Sequence, residues 1–172
     1  MLVEKGWIHM RMECEAKDEM QRFRYRAAAI IVEDNCVLFA GNDRDDYYYS
    51  VGGGVYVGET AEEAVVREVW EETGIHYEID RLAVVHENLF TGKGGPVKGK
   101  HCHELSFYFL MKSKGNKIVD EDGHVTNGVL EKMHWIPIKD IDKYKTYPYF
   151  LKDFLKNKDQ GILHIVTDER EE

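Results

Sequence analysis

The chain has few cysteines, no long apolar run and a shortage of positive charge, and each lack narrows what it can be. Cys14, Cys36 and Cys102 are odd in number and show no C-x-x-C spacing. That argues against a disulfide framework and fits reduced thiols serving as small buried hydrophobes. No apolar stretch approaches the ~20 residues of a membrane span. Residues 1–20 mix Glu, Lys, Arg and Asp with apolar residues and lack the apolar core of a secretion signal. The expectation is a cytoplasmic protein with no membrane partner. Lys and Arg number 23 against 32 for Asp and Glu, a net charge of −9, so a nucleic acid polymer is not an expected partner. A small phosphorylated ligand stays open, because metal ions invert local charge. Internal repeats, low-complexity tracts and Pro/Ser-rich linkers are also missing.

What is present is a globular composition, 43% hydrophobic and 32% charged, too apolar for a disordered chain. The 172 residues suffice for one domain, expected over 1–172 with 1–20 as an N-terminal extension. Tyr25–Val32 and Cys36–Ala40 read as two strands around a turn at Glu33-Asp34-Asn35. Tyr47–Val51 is β-rich and runs into Gly52-Gly53-Gly54. Further strand signals lie at Ile75–Asn88, Leu105–Met111, Lys117–Val119, Lys132–Ile138 and Gly161–Thr167. Thr91–Lys100 reads as a loop, and Pro148–Asn157 as a helix with proline in its first turn. Many strands and few helices, not in strict alternation, predict an α/β fold with helices packed on a mixed sheet.

The most informative segment is Gly53–Ile75, GGVYVGETAEEAVVREVWEETGI. Thr60 and Glu63 form a capping box, and Gly74 is a natural stop, so a helix is predicted up to Thr73. At 100° per residue Val66, Val69, Trp70 and Thr73 share one side, the expected core face. Glu68, Glu71 and Glu72 cluster on a different side, with small Ala61 and Ala64 one and two turns earlier. Like charges at i, i+4 oppose the helix by roughly 0.2–0.5 kcal/mol per pair. Anions in the last turn also face the negative end of the helix dipole, at roughly 0.3–1 kcal/mol each. A bound dication reverses every one of these signs, and oxygen-only ligands suit Mg²⁺, Mn²⁺ or Ca²⁺ better than Zn²⁺. On spacing alone, a solvated acidic face is the alternative. Glu62 and Glu63 sit in the first turn, where negative charge is favourable.

The wider segment resembles the Nudix box, G-x5-E-x7-R-E-U-x-E-E-x-G-U with U a bulky apolar residue. Gly53, Glu59, Arg67, Glu68, Val69, Glu71, Glu72, Gly74 and Ile75 fill every specified position. At ordinary residue frequencies such a match at a given start has a chance on the order of one in a billion. The resemblance implies a Nudix-like α/β/α sandwich around a mixed β-sheet. It implies Glu68, Glu71 and Glu72 as metal ligands, with Glu59 secondary and the carbonyls of Gly53 and Gly54 contributing. By the same resemblance Arg67 positions carboxylates, and the ion is Mg²⁺ or Mn²⁺. Two departures fall in the loop, Val51 where many members have Pro and Tyr56 where many have an acidic residue.

Diphosphate cleavage needs neutralised phosphate oxygens, an activated water and a proton acceptor. Glu68 is the first choice for the acceptor and Glu72 the next. Candidates for substrate contact outside the box are Arg44, Glu104, Glu121 and Glu131. Asp122, His101, His103, Lys93, Lys98, Lys100 and the aromatics Tyr47, Tyr48, Tyr49 and Phe90 rank lower, as solvated charge or packing residues. Two functions remain in view. One is a hydrolase of a nucleoside diphosphate linked to another group; the other is a non-catalytic Nudix-like domain that binds a nucleotide and regulates a partner. Intact box carboxylates favour the hydrolase. Exposed strand edges leave room for a homodimer.

Overall fold

The computed structural model describes residues 11–42, 45–118, 124–126 and 129–171. Successive side chains of a strand point to opposite faces, so a strand apolar at every position must be covered on both sides. That is the situation from Ala27 to Ile30. The elements follow in order: β1 (Glu15–Lys17), β2 (Gln21–Ile30), β3 (Val32–Glu33), β4 (Cys36–Asn42), β5 (Tyr48–Tyr49), β6 (Gly52–Gly54) and α1 (Ala61–Thr73). After them come β7 (Ile79–Thr91), β8 (His101–Met111), β9 (His124–Thr126), β10 (Val129–Pro137), β11 (Thr146–Tyr147), α2 (Leu151–Phe154) and β12 (Leu163–Glu169). The β3–β4 turn holds Asp34 and Asn35 at φ of 47° and 58°. Two left-handed residues match the twist of a tight hairpin, and Asp and Asn tolerate that conformation.

Two mixed sheets result. One runs β1-β2-β8-β7-β12, with β6 also paired to β2. The other runs β11-β5-β4-β10-β9, with β3 on β4. β2 with β8, β7 with β12 and β5 with β11 are parallel; the other pairs are antiparallel. Ala27, Ala29, Ile31, Phe109 and Met111 face one core with Val65 and Val69 of α1. Ala28, Ile30, Tyr108 and Val84 face a second core with Ile141, Leu151 and Phe154. Helical layers therefore cover opposite faces, which is the expected α/β/α sandwich. Full burial of Val65 and Val69 contributes about 1.5–3 kcal/mol each.

Several details differ from the sequence expectation. The buried residues of α1 are Ala61, Ala64, Val65, Val69 and Thr73. Trp70 is 48% exposed and stacks on His76 with ring centroids 5.6 Å apart. A helical wheel fixes relative angles but not which side turns inward. Here the inward seam runs 61-64-65-68-69-72-73, so two glutamates lie on it. Lys117 and Ile118 form no strand, and Val119 lies outside the described residues. The Pro148–Asn157 helix contracts to Leu151–Phe154, and the unassigned N-terminal region supplies β1. Among the described residues, no helix is long and apolar enough to cross a membrane.

Candidate functional site

Both ends of α1 are fixed by caps. Thr60 Oγ1 accepts from the Glu63 N–H at 3.1 Å, and Glu63 Oε2 accepts from the Thr60 N–H at 2.9 Å. Gly74, at φ 70°, donates its N–H to the Trp70 carbonyl and ends the helix. Between these caps the seam brings Glu68 and Glu72 against β6, a strand made of three glycines. A Cβ on Gly53 would stand 2.5 Å from the Glu68 carboxylate. Gly52 has φ 136°, and a Cβ there would strike the Ala27 backbone. The side-chain-free strand lets the acidic seam reach round it. The Gly52 N–H donates to Glu72 Oε1 at 3.1 Å.

Arg67 binds this unit together. Its guanidinium donates to both oxygens of Glu59, at 2.8 and 2.9 Å, to Glu68 at 2.6 Å, to Glu71 at 3.1 Å and to the Gly54 carbonyl at 3.0 Å. Glu59 also accepts from the Tyr56 N–H at 3.0 Å. The Arg67 guanidinium lies 4.2 Å from the centre of the Tyr56 ring, so the loop's departure from the family pattern becomes a stacking contact. The hydrogen bond from Arg67, then that from Tyr56, hold the Glu59 carboxyl below its ordinary value. Glu68 is raised instead, because burial outweighs Arg67. Burial also pushes Glu72 up, to about 8, against the pull of the Gly52 N–H and Arg26 and with further lifting from Glu68 and Glu131. Two adjacent desolvated carboxylates form a wall that is costly unless a cation meets it.

Arg26 completes the site and is a residue that sequence reasoning missed. It sits in the Tyr25–Val32 run, on the face opposite α1. Its guanidinium donates to the carbonyls of Ser50 and Gly52 at 2.8 and 2.9 Å, which fixes the approach to β6. Burial alone would lower its pKa; Tyr108, Glu104, Glu72 and Glu68 more than offset that, and it stays charged. A buried cation among backbone carbonyls leaves no trace in a sequence pattern. Glu13 was also missed. Its carboxylate lies beside Gly54 and accepts from Arg24 at 3.2 Å.

These groups share a cavity of about 780 Å³ between the two sheets. Gly53, Glu68, Glu71, Glu72, Glu104 and Glu131 of the sequence-predicted set line it. Glu131 accepts from the Tyr49 hydroxyl at 2.6 Å. Glu59 lies behind Arg67, off the cavity. Arg44, Glu121 and Asp122 fall outside the described residues. His103 stands elsewhere, 3.5 Å from Glu87, which also meets His164 at 2.7 Å. Lys93, Lys98, Lys100, Phe90, Tyr47 and Tyr48 are not on the described lining, whereas Tyr49 is. Two arginines face seven glutamates on that lining, so an anionic ligand needs a cation to enter. Among the described residues, no three His, Cys, Asp or Glu side chains converge as a ready metal cage. Arg67 holds Glu68 and Glu71, and Glu71 would have to leave it to join Glu68 and Glu72. The donors are all oxygen, the type that Mg²⁺ and Mn²⁺ take.

Comparison with known proteins bears on the family and the fold. A family model described as NUDIX domain matches residues 22–157. A MutT-like protein of Streptomyces ambofaciens is 41% identical over 66 residues, 38% of this chain and 43% of its own length. An RNA pyrophosphohydrolase of Sphingopyxis alaskensis is 35% identical over 101 residues, 53% of this chain and 61% of its own. The chain spans about half the length of the curated relatives it matches. The crystal structure of a mutator MutT protein from Bacillus halodurans superposes with a TM-score of 0.63 at 19% identity, over 84% of this chain and 90% of that one.

Proposed function

The chain belongs to the Nudix family, and on that footing we propose that it is a pyrophosphohydrolase cleaving the diphosphate linkage of a nucleoside diphosphate joined to another group, with Mg²⁺ or Mn²⁺ as cofactor. The observation that carries this reading is the pair Glu68 and Glu72, desolvated side by side on the cavity wall within a complete box. Glu68, Glu72 and the Gly53 carbonyl would hold the ion, with Glu71 joining from Arg67. Bound there, it supplies charge neutralisation on phosphate oxygens and a water of lowered pKa. The chain's own residues do the rest. Arg67 fixes Glu59, Glu68 and Glu71 by hydrogen bonds from one guanidinium, Arg26 fixes the carbonyls that aim β6, and Glu68, then Glu72, is the proton acceptor. Relatives named RNA pyrophosphohydrolase and ADP-ribose pyrophosphatase support the reaction class.

A screen of diphosphate compounds with Mg²⁺ or Mn²⁺, reading phosphate or mononucleotide release, tests the proposal. Turnover is expected to vanish with chelator and return with either ion. Undiminished turnover in metal-free protein would sink the mechanism. Nucleotide binding with no turnover on any compound would favour the regulatory domain instead.

A further inference from the structure

The sheet face that carries Ala28, Tyr108 and Val84 into the second core changes character at one end. Two residues along each strand, it presents Arg26, Ser106 and His86. Two further on, Arg24, Glu104, Asn88 and Thr167 stand opposite one another across β2, β8, β7 and β12. All four line the cavity. Such a polar row on a core-bearing face is unfavourable unless water or a ligand satisfies it.

The row has spare capacity. Glu104 Oε1 accepts from Ser106 Oγ at 3.0 Å, and Oε2 lies 3.9 Å from Arg24 Nη1, which leaves acceptor sites free. The Asn88 side chain has no hydrogen-bond partner among the described residues. Thr167 Oγ1 is held 2.9 Å from the His86 ring. From β6 to β7 is three strand spacings, about 14 Å. An extended nucleoside diphosphate spans that distance, with its phosphates beside Glu68 and Glu72 and its base over Asn88. Tyr147 and Tyr149, with ring centroids 4.5 Å apart, wall the same cavity and offer a stacking surface. Glu169 on the lining disfavours a second anionic group at this end.

Hydrogen-bond chemistry then selects the base. A carboxylate only accepts, whereas a carboxamide donates and accepts. Guanine sets two adjacent donors, N1–H and the 2-amino group, beside a carbonyl. Adenine places an acceptor at N1, uracil flanks one donor with two carbonyls, and cytosine offers one amino group beside two acceptors. We propose that Glu104 and Asn88 read the base and select guanine nucleotides, Glu104 accepting from N1–H and the 2-amino group and Asn88 donating to the carbonyl. The inference rests on the diphosphate-hydrolase reading for the phosphate end and adds the substrate class.

Equilibrium binding of α,β-methylene GDP, IDP, ADP and UDP in Mg²⁺ tests it, since no bond is cleaved in these analogues. The guanine analogue should bind roughly ten- to hundredfold more tightly than the adenine and uracil analogues, with the inosine analogue between. Glu104→Gln should collapse that preference to a few-fold, and Asn88→Ala should weaken the guanine and inosine analogues, which share the carbonyl, and leave the adenine and uracil analogues unchanged. A melting curve for each variant shows that it is folded. Equal binding of all four analogues, or an undiminished preference in folded Glu104→Gln, overturns the proposal. Hydrolysis of the natural compounds is read separately. Turnover without base preference overturns this inference and leaves the hydrolase reading; guanine preference without turnover does the reverse.

Discussion

Replacing Glu72 with Gln removes a charge that the fold holds out of water. Glu72 keeps its proton in the metal-free fold up to about pH 8, against an ordinary value of 4.5 in the unfolded chain. The group therefore favours the folded state fully below pH 4.5, and that contribution is lost as pH rises toward 8. Each unit in the window is worth about 1.4 kcal/mol. The upper bound is on the order of 5 kcal/mol, which screening by cavity water reduces to a few. A surface view of this helix, with like-charge repulsion alone, gives only a few tenths of a kcal/mol. Glutamine keeps an oxygen for the Gly52 N–H and does not titrate. Metal-free Glu72→Gln should melt together with the parent near pH 4.5. It should then pull ahead by up to roughly 3–5 °C per pH unit as the pH approaches 8. Saturating Mg²⁺ should raise the parent's melting temperature, by mass action, and leave the variant nearly unmoved. Turnover of the variant should fall by orders of magnitude. The assay is a melt series from pH 4.5 to 9 with chelator and again with Mg²⁺, with Glu62→Gln as control. A gap between variant and parent that is constant with pH would refute the buried-charge argument. Equal Mg²⁺ responses would refute the ligand assignment.

Arg67→Lys keeps the charge but loses the fork that spans Glu59, Glu68 and Glu71. A drop of about 10–100-fold in kcat/KM or Mg²⁺ affinity is expected, readable in a metal titration of turnover. Gly53→Ala pushes against the movable end of Glu68 and not against backbone, so urea unfolding should change by about 1 kcal/mol or less. Its half-saturating Mg²⁺ concentration should nevertheless rise about tenfold or more. Thr60→Ala removes the cap far from the cavity and should lower stability by about 1 kcal/mol in the same unfolding assay, with turnover of the folded protein unchanged.

Local chemistry made part of this molecule readable from sequence. The start and end of α1 follow from Thr60, Glu63 and Gly74, because caps act within a few residues. The β3–β4 hairpin follows from Asp34 and Asn35 for the same reason. Trp70 was expected inside and lies outside, because the acidic positions Glu68 and Glu72 share the inward seam with Val65 and Val69. Packing against β2, β6 and β8 decides that orientation, and β2 and β8 are distant from α1 in the chain. Arg26 escaped notice because its partners, Ser50 and Gly52, come from another strand. Glu104 and Glu131 were candidates by their place in the chain. Their convergence on one cavity depends on two separate sheets, which no spacing rule encodes.

β12 has a consequence for how the protein can change. It contributes Thr167 and Glu169 to the cavity, yet it lies beyond residue 157, where the family match ends. Glu13, on the opposite rim, lies before residue 22, where that match begins. The glutamates of α1 thus lie within the matched span, whereas both rims of the cavity borrow from flanking sequence. β12 is an edge strand paired with β7, and beyond Leu163 and Ile165, which pack on the second core, its cavity end at Thr167 and Glu169 lies at the margin of the sheet. Selection can retune what the cavity admits there without touching the glutamates that would do the chemistry. A graft of another β12 onto this scaffold is the natural way to exchange one ligand preference for another.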